Sequence, residues 1–254
     1  MTIFYFTSTG NSLAVAKRIG GTLISIPQIV DAPEPLYRDD AIGVIFPIYG
    51  FSTPRIVRAF LNKVKLEADY LFAIGTYGNM PGAAMVNVQK QAQRNGYRFD
   101  YANHLLMVDN FLPIFEMDAE AKKLPAKKVE EKTAKIVADI NSRKHIQAQA
   151  ALPFRALTTI LEAVMPSSSK NAQKYLVNDK CIKCGICAKV CPAKNINITD
   201  KVNFSLQCEG CLACIHLCPQ NALHLKNQRS GKRWRNPDVT LNEIIGANNR
   251  GQEK

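Results

Sequence analysis

The sequence Cys181-x-x-Cys184-x-x-Cys187-x-x-x-Cys191-Pro192 recurs later in the chain as Cys208-x-x-Cys211-x-x-Cys214-x-x-x-Cys218-Pro219. All eight cysteines of the protein belong to these two copies. Three thiolates spaced two residues apart on a tight turn can reach three corners of one iron–sulfur cubane. The repeat therefore predicts two 4Fe–4S clusters in this stretch, and it fixes the organisation of the C-terminal part of the chain.

The fourth cysteine of each copy follows a gap of three residues, so it is expected to point away from its own triplet and to ligate the other cluster. A proline follows each fourth cysteine, where its fixed φ and missing N–H suit the turn. The predicted ligands form two crossed sets: Cys181, Cys184, Cys187 and Cys218 for the first cluster, and Cys208, Cys211, Cys214 and Cys191 for the second.

Three other interpretations of the cysteines compete with this one. Disulfides need an oxidising compartment, and nothing in the sequence indicates export. Zinc sites usually consist of two separated Cys-x-x-Cys pairs without a repeated triplet. A purely structural role for the clusters also stays open, although two adjacent clusters are the usual arrangement in electron carriers.

Residues 175–226 resemble the dicluster ferredoxins of bacteria. The resemblance implies a compact, pseudo-twofold domain of the ββαβ type that moves single electrons at low potential. His216 lies inside the second motif, where it could tune a cluster by hydrogen bonding or occupy a surface position of a helix. We expect the following residues to form the strands and core of this domain: Tyr175, Ile196, Ile198, Phe204, Leu206, Leu223 and Leu225.

The N-terminal half alternates apolar strand patterns with helical patterns. This alternation predicts an α/β fold, a doubly wound five-stranded parallel sheet. In such a sheet a ligand lies beyond the carboxyl ends of the strands, at the switch point between the first and third strands. The predicted strands are 2–6, 22–26, 41–46, 70–76 and 102–108, and the predicted helices follow at about 13–19, 55–64, 82–95 and 126–143.

The loop after the first strand is rich in hydroxyl groups and precedes a helix. Backbone N–H groups, the helix dipole and four hydroxyls at this position predict an anion site. The loop lacks the Gly-Lys pair of a Walker loop and the second and third glycines of a dinucleotide fingerprint. Its residues are Thr7, Ser8, Thr9, Gly10, Asn11 and Ser12.

This loop resembles the flavodoxin phosphate loop, Ser/Thr-x-Thr-Gly-x-Ser/Thr, and the resemblance covers residues 1–147. It implies that FMN binds with its phosphate on Thr7–Ser12. It also implies that the loops after the third and fourth strands flank the isoalloxazine ring, with Tyr49 stacking on it; ordinary packing of Tyr49 and Tyr77 is the alternative. The residues implied in these two loops are Pro47, Tyr49, Gly50, Phe51, Thr76, Tyr77, Gly78 and Asn79.

The remaining segments complete a four-part division into 1–147, 148–174, 175–226 and 227–254. The second segment carries apolar residues at helical spacing, which predicts a bridging helix that packs on one of the two domains, with attachment to a membrane surface as the alternative. The basic C-terminal tail surrounds Trp234 and could dock a partner, the flavin domain or its own domain. Its last nine residues are polar, and we expect them to be disordered.

The formal net charge is +12, yet the sequence contains no nucleic-acid-binding motif. We therefore expect the basic surface to serve solubility or an acidic redox partner. No apolar run is long enough to span a membrane, and the N-terminus lacks the basic region of a signal peptide. Cysteines arranged for iron predict a reducing cytoplasm, whereas the oligomeric state is not predicted.

The chain as a whole resembles the flavodoxin–ferredoxin fusion proteins of anaerobic bacteria and archaea. The resemblance implies an electron-transfer protein that passes electrons between FMN and two 4Fe–4S clusters and on to a redox protein. An FMN-dependent reductase of a small substrate is the alternative, but the predicted flavin loops contain no cysteine, histidine or carboxylate, so we name no catalytic residue. A redox sensor is less favoured, because no effector or DNA-reading domain is recognisable.

Overall fold

The computed structural model describes residues 1–164 and 172–249. Its strands are β1 (Thr2–Tyr5), β2 (Thr22–Ser25), β3 (Leu36–Arg38), β4 (Ala41–Pro47), β5 (Lys65–Glu67), β6 (Tyr70–Tyr77), β7 (Tyr101–Leu106), β8 (Tyr175–Val177), β9 (Ile196–Ile198), β10 (Val202–Phe204) and β11 (Leu223–Leu225). Its helices are α1 (Asn11–Ile19), α2 (Ile26–Ile29), α3 (Arg55–Lys63), α4 (Ala84–Arg94), α5 (Met117–Lys122), α6 (Leu124–Lys127), α7 (Val129–Asn141), α8 (Leu152–Val164), α9 (Ile186–Lys189), α10 (Ala213–His216) and α11 (Leu241–Asn248).

The N-terminal half forms the predicted parallel sheet, and the fold class is confirmed. Five strands lie in the order β2-β1-β4-β6-β7, and each pair is parallel. Renumbered within the sheet, this order is 2-1-3-4-5, the flavodoxin-like order of doubly wound folds. The switch point therefore lies at the carboxyl ends of β1 and β4.

Both faces of the sheet are covered, which explains the continuous apolar runs of its central strands. Alternate residues of β1 point to opposite faces: Ile3 packs in an apolar cluster with α1 and α7, whereas Phe4 packs in a second cluster with α3 and α4. The first cluster also contains Leu217 of the dicluster segment and Val239 of the C-terminal segment. The apolar core is thus continuous between the sheet and the C-terminal part of the chain.

Two local features differ from the sequence expectation. Strands β3 and β5 form a short parallel pair that was not predicted, because three residues are too few to show a periodic pattern. The predicted helix over 126–143 is divided, since Lys128 has a left-handed φ of 50° that ends α6 before α7 begins.

The dicluster segment consists of two strand–helix–strand halves, β8-α9-β9 and β10-α10-β11, instead of the implied ββαβ arrangement. The strands of the first half pair with those of the second half: β8 pairs with β11 and β9 pairs with β10, both antiparallel. Most of the expected core residues are buried or half-buried in this unit. Leu206 is the exception and a correction, since it follows the end of β10 and is 59% exposed.

Helix α8 follows the sheet where a bridging helix was predicted. Its Thr158 is buried and accepts a hydrogen bond of 2.9 Å from the backbone N–H of Ala83, whereas Leu152 and Ile160 are exposed. The rest of the predicted linker, 165–171, lies outside the described residues. Within the described ranges, no helix has the combination of length and apolar character that crossing a membrane demands.

The end of the chain is more ordered than expected. Helix α11 begins with a capping box, in which Thr240 Oγ1 accepts from the backbone N–H of Glu243 and the Glu243 carboxylate accepts from the N–H of Thr240. Ile244 and Ala247 are buried in the core. The expected disorder of the last nine residues is therefore wrong for 246–249, and residues 250–254 lie outside the described part.

Candidate functional site

The first predicted set of cysteines surrounds one small cavity that opens to solvent. Cys181, Cys184, Cys187 and Cys218 all line it. Cys187 is buried at the start of α9, whereas Cys184 is exposed on the preceding loop. This cavity therefore lies at the surface of the dicluster unit.

The second predicted set surrounds a separate small cavity. Cys191, Cys208, Cys211 and Cys214 line it, together with Tyr175 and Glu209. Each cavity thus contains three cysteines of one motif and the fourth cysteine of the other motif. The structure brings the cysteines together in the crossed sets that the spacing predicts, while their ligation of iron stays a prediction.

The backbone around the cysteines is arranged to stabilise negative sulfur. The N–H of Asn195 lies 3.3 Å from Cys191 Sγ, and the N–H groups of Gly210 and Ala222 lie at the same distance from the sulfurs of Cys208 and Cys218. Such N–H donors favour the thiolate over the thiol and tune a cluster that the thiolates hold.

Burial opposes this stabilisation unless a cation is present. Burial raises the pKa of Cys187 to about 11, and burial together with neighbouring thiolates raises the pKa of Cys211 and Cys214 well above the usual range. Four thiolates around one small cavity, some of them buried, require compensating positive charge, which iron supplies. The donor set, four sulfurs around each cavity, therefore fits a 4Fe–4S cluster.

The second cavity lies against the carboxyl edge of the sheet. At the N-terminus of α3, the backbone N–H of Arg55 donates to Glu209 Oε2 at 3.2 Å, and its guanidinium donates to the carbonyl oxygen of Cys208. Arg55 Nε also lies 3.7 Å from Glu209 Oε1. Cys211 packs against both apolar clusters of the sheet. The switch point thus contacts the loop that carries the second set of cysteines.

Tyr49, predicted to stack on a flavin, lies at this contact. Its hydroxyl oxygen is buried and interacts with the Ser8 hydroxyl, whereas Thr53 Oγ1 on the same loop is buried without a hydrogen-bond partner among the described residues. Burial raises the pKa of Tyr49 well above its usual value, and the neighbouring Cys211 thiolate raises it further.

The predicted phosphate loop is buried and internally bonded. The N–H of Gly10 donates to Thr7 Oγ1 at 3.1 Å, and the hydroxyls of Ser12 and Thr76 lie 2.8 Å apart. Thr9 Oγ1 accepts a hydrogen bond of 2.5 Å from the side chain amide of Asn110. Ser8 interacts with the Tyr49 hydroxyl, so all four hydroxyls of the loop are engaged by the chain itself.

The C-terminal segment 236–248 covers this loop. The N–H of Asn236 donates to Thr9 O at 2.8 Å, and the side chain amide of Asn248 donates to Thr7 O at 3.0 Å. Gly10 has a left-handed φ of 103°, and a Cβ placed there would lie 2.9 Å from Asn236 Cβ. The residue types suit a phosphate, and the C-terminal segment packs on the loop through two of its carbonyl groups and Gly10.

The predicted ring loops contact each other and the neighbouring strands. A Cβ on Gly82, at the end of the loop after β6, would lie 2.7 Å from Phe51 Cβ of the loop after β4. The ring of Tyr77 packs edge-on against the ring of His104, with 5.1 Å between the ring centroids. The carbonyl oxygen of Gly78 accepts a hydrogen bond of 3.0 Å from Lys127 Nζ. Of the remaining predicted residues, Pro47 is half-buried, and Gly50 and Asn79 are exposed.

His216 is neither a surface residue nor in direct contact with a cysteine sulfur through a described hydrogen bond. It is buried, its Nδ1 accepts from the N–H of Trp234 at 3.1 Å, and its Nε2 lies 2.8 Å from Asn110 O. Burial lowers the pKa of His216 to about 4, so the neutral ring carries its proton on Nε2 and donates to Asn110. The residue connects α10 to the N-terminal half and to the C-terminal segment.

Comparison with known proteins assigns the cysteine-containing segment. Residues 173–219 match the family model described as a 4Fe-4S dicluster domain. The chain is 41% identical over 51 residues to the pyruvate synthase subunit PorD of Methanocaldococcus jannaschii, a match that covers 19% of this chain and 59% of that protein. It is 29% identical over 76 residues to the delta subunit of the NADH-dependent phenylglyoxylate dehydrogenase of Aromatoleum evansii, covering 28% of this chain and 82% of that subunit.

Among solved structures, the two-electron reduced flavodoxin of Megasphaera elsdenii matches with a TM-score of 0.31 and 20% identity, covering 41% of this chain and 83% of that protein. The assignment of the N-terminal fold depends instead on the strand order of the sheet itself. The chain combines a flavodoxin-like α/β sheet with a 4Fe–4S dicluster domain, as the sequence predicts.

Proposed function

We propose that this protein is an electron carrier that passes electrons through two 4Fe–4S clusters to or from a redox protein. The observation that carries the proposal is the pair of cavities, each lined by four cysteines in crossed sets. Two adjacent clusters within one small unit allow single electrons to move between them and to leave at the surface.

The two sites differ in their access to solvent. Cys184 at the first cavity is exposed, and its neighbours Ile182 and Lys183 are exposed as well. The second cavity is covered by the edge of the sheet through Arg55 and Glu209. We therefore assign exchange with the partner to the first cluster and internal storage to the second.

An oxidoreductase is the proposed partner. The relatives of the dicluster segment are named as subunits of pyruvate synthase and of phenylglyoxylate dehydrogenase, both redox enzymes. The net charge of +12 favours a partner with an acidic face. Electron-transfer rates with such a partner should fall as ionic strength rises, because salt screens the attraction.

FMN is proposed as a further cofactor of the N-terminal half. When bound, it supplies a carrier that takes two electrons and can pass them on one at a time. The loop Thr7–Ser12 offers the hydroxyls and the helix N-terminus that a phosphate needs. Asn236 and Asn248 are bonded to two carbonyl groups of this loop, so the C-terminal segment lies next to the proposed phosphate position.

The test is the cofactor content of protein purified without oxygen. Iron and sulfide are measured per chain, and FMN is measured by release and fluorescence before and after FMN is added. About eight iron atoms per chain would support the two-cluster proposal, whereas zinc or about one iron per chain would refute it. Eight iron atoms without any FMN, even after its addition, would remove the flavin from the proposal and leave the clusters in place.

A further inference from the structure

We infer that Tyr175 donates a hydrogen bond from its hydroxyl to the sulfur of Cys208 and thereby raises the reduction potential of the second cluster. Tyr175 is then a positioning residue for electrons, because it favours their residence on the second cluster. This inference rests on the proposed ligation of that cluster by Cys191, Cys208, Cys211 and Cys214.

The first observation is a direct contact between the two side chains. The Tyr175 hydroxyl oxygen lies 3.4 Å from Cys208 Sγ, and both residues are buried and line the second cavity. Among the described residues, Cys208 is the hydrogen-bond partner of this hydroxyl. A cysteine that ligates iron carries no proton, whereas a tyrosine keeps its proton at neutral pH. The hydroxyl is therefore the donor and the sulfur the acceptor.

The second observation is that the donor is held in place. Tyr175 is the first residue of β8 and pairs with Leu225 of β11. Its ring stacks on the ring of Phe204, the last residue of β10, with 5.2 Å between the ring centroids and 19° between the planes. The acceptor is held as well, because the N–H of Gly210 lies 3.3 Å from Cys208 Sγ. A bond between two fixed groups can keep one geometry in both oxidation states, which a tuning hydrogen bond requires.

The third observation is a difference between the two sites. Tyr175 is the one residue with a hydroxyl group among those that line the second cavity. The residues that line the first cavity include no tyrosine, serine or threonine. The hydroxyl of Tyr175 should therefore act on one of the two clusters and not on the other.

The direction of the effect follows from charge. Reduction adds one electron to the cluster and makes its sulfurs better acceptors, while the tyrosine keeps its proton. A hydroxyl donor therefore stabilises the reduced cluster more than the oxidised cluster. Tyr175→Phe keeps the ring that stacks on Phe204 and removes only the hydroxyl, so it should make the potential of the second cluster more negative. The reduction equilibrium should change about threefold to tenfold, which equals about 28–59 mV for one electron.

The experiment is an anaerobic redox titration of the full-length protein with both clusters, with dithionite as the reductant and electron paramagnetic resonance as the readout. Wild type, Y175F and Y97F are compared at equal iron content. Y175F should lower one of the two potentials and leave the other unchanged. Y97F is the matched control and should change neither potential, because Tyr97 is also buried and its hydroxyl lies 3.4 Å from the carbonyl oxygen of Leu61, but it lines neither cavity.

A second measurement keeps Tyr175 in place, and it decides the question if Y175F binds less iron. Biosynthetic replacement of tyrosine by 3-fluorotyrosine makes the hydroxyl more acidic and a stronger donor. It should raise the potential of one cluster in the wild type and leave the other unchanged. In Y175F that contains both clusters, this rise should be absent.

Three outcomes would overturn the inference. The first is a Y175F protein with full iron content, or a fluorotyrosine-labelled wild type, in which both potentials are unchanged. The second is a shift of equal size in both potentials or in Y97F. The third is a shift in the potential that Cys184→Ser also changes, because Cys184 lines the first cavity. A wild-type protein that lacks clusters would instead refute the proposed function.

Discussion

Arg55 should hold the second cluster site against the sheet, and replacing it with alanine should open that interface. The Glu209 side chain is 9% exposed and that of Arg55 is 38% exposed. Burial raises the pKa of Glu209, while the Arg55 charge and N–H oppose that rise. Arg55→Ala would leave the Glu209 carboxylate buried without its main counter-charge, and it would remove the donor to Cys208 O.

The magnitude follows from the exposure of the two partners. Removing one member of a fully buried pair costs about 3–5 kcal/mol, and an exposed pair is worth about 0–1 kcal/mol. Because Arg55 is partly exposed and Glu209 is buried, we expect Arg55→Ala to lower the free energy of opening this interface by about 2–3 kcal/mol. Arg38→Ala is the matched control, since Arg38 forms a 2.7 Å pair with Glu67 at the surface and should cost less than about 1 kcal/mol.

The assay is native-state hydrogen exchange under anaerobic conditions, at equal iron content, for the segments 52–57 and 208–214. Arg55→Ala should raise exchange in both segments, and Arg38→Ala should raise it in neither. When Glu209→Gln is combined with Arg55→Ala, it should reverse part of the increase in hydrogen exchange, because it removes the unpaired charge of Glu209. The reasoning would be refuted if the two changes were additive, or if Arg55→Ala had no more effect than the control.

Three further predictions concern other parts of the chain. Gly10→Ala should lower the free energy of unfolding by about 1–3 kcal/mol, because Gly10 has a left-handed φ and the new Cβ would meet Asn236. The substitution should also make the C-terminal segment more sensitive to limited proteolysis. An unchanged thermal midpoint would contradict this prediction. Glu243 has a pKa lowered to about 2, chiefly by its hydrogen bond from Lys17, so its stabilising effect should be complete above about pH 4.3 and be lost as the pH falls towards 2. The difference in thermal midpoint between wild type and Glu243→Gln should therefore shrink as the pH falls over that range. A difference that stays constant with pH would show that the Lys17–Glu243 ion pair does not cause it. Cys184→Ser should lower the iron content from about eight to about four per chain, and loss of all iron would show that the two sites are not independent.

Local patterns predicted the parts of this structure that depend on neighbouring residues. The sheet followed from strand–helix alternation, and the crossed sets of cysteines followed from their spacing. The capping box at Thr240 and Glu243 could also have revealed α11, because Thr-x-x-Glu before an apolar pattern marks a helix start. Polar composition near the end of the chain obscured that signal.

The covering of the switch point could not be predicted in this way. Asn236 bonds to Asn11 across 225 positions, and Asn248 bonds to Thr7 across 241 positions. Asparagine carries no periodic or motif signal for such contacts, and the loop it covers has the composition of an anion site. The sequence therefore predicted the chemistry of the loop, while the packing of the C-terminal segment on it depended on tertiary contacts.

The carboxyl edge of the sheet also contacts the loop of the dicluster domain that carries the second set of cysteines. In doubly wound folds the carboxyl edge at the switch point is the place where a ligand meets loops from several strands. Here the same edge contacts the Cys208–Cys214 loop through Arg55, and Cys211 packs against both apolar clusters of the sheet. Because both parts belong to one chain, this contact forms without a bimolecular encounter and at a high effective concentration. A fixed contact of this kind can exclude water from one cluster and leave the other at the surface, which separates the proposed site of exchange with a partner from the site that the sheet covers.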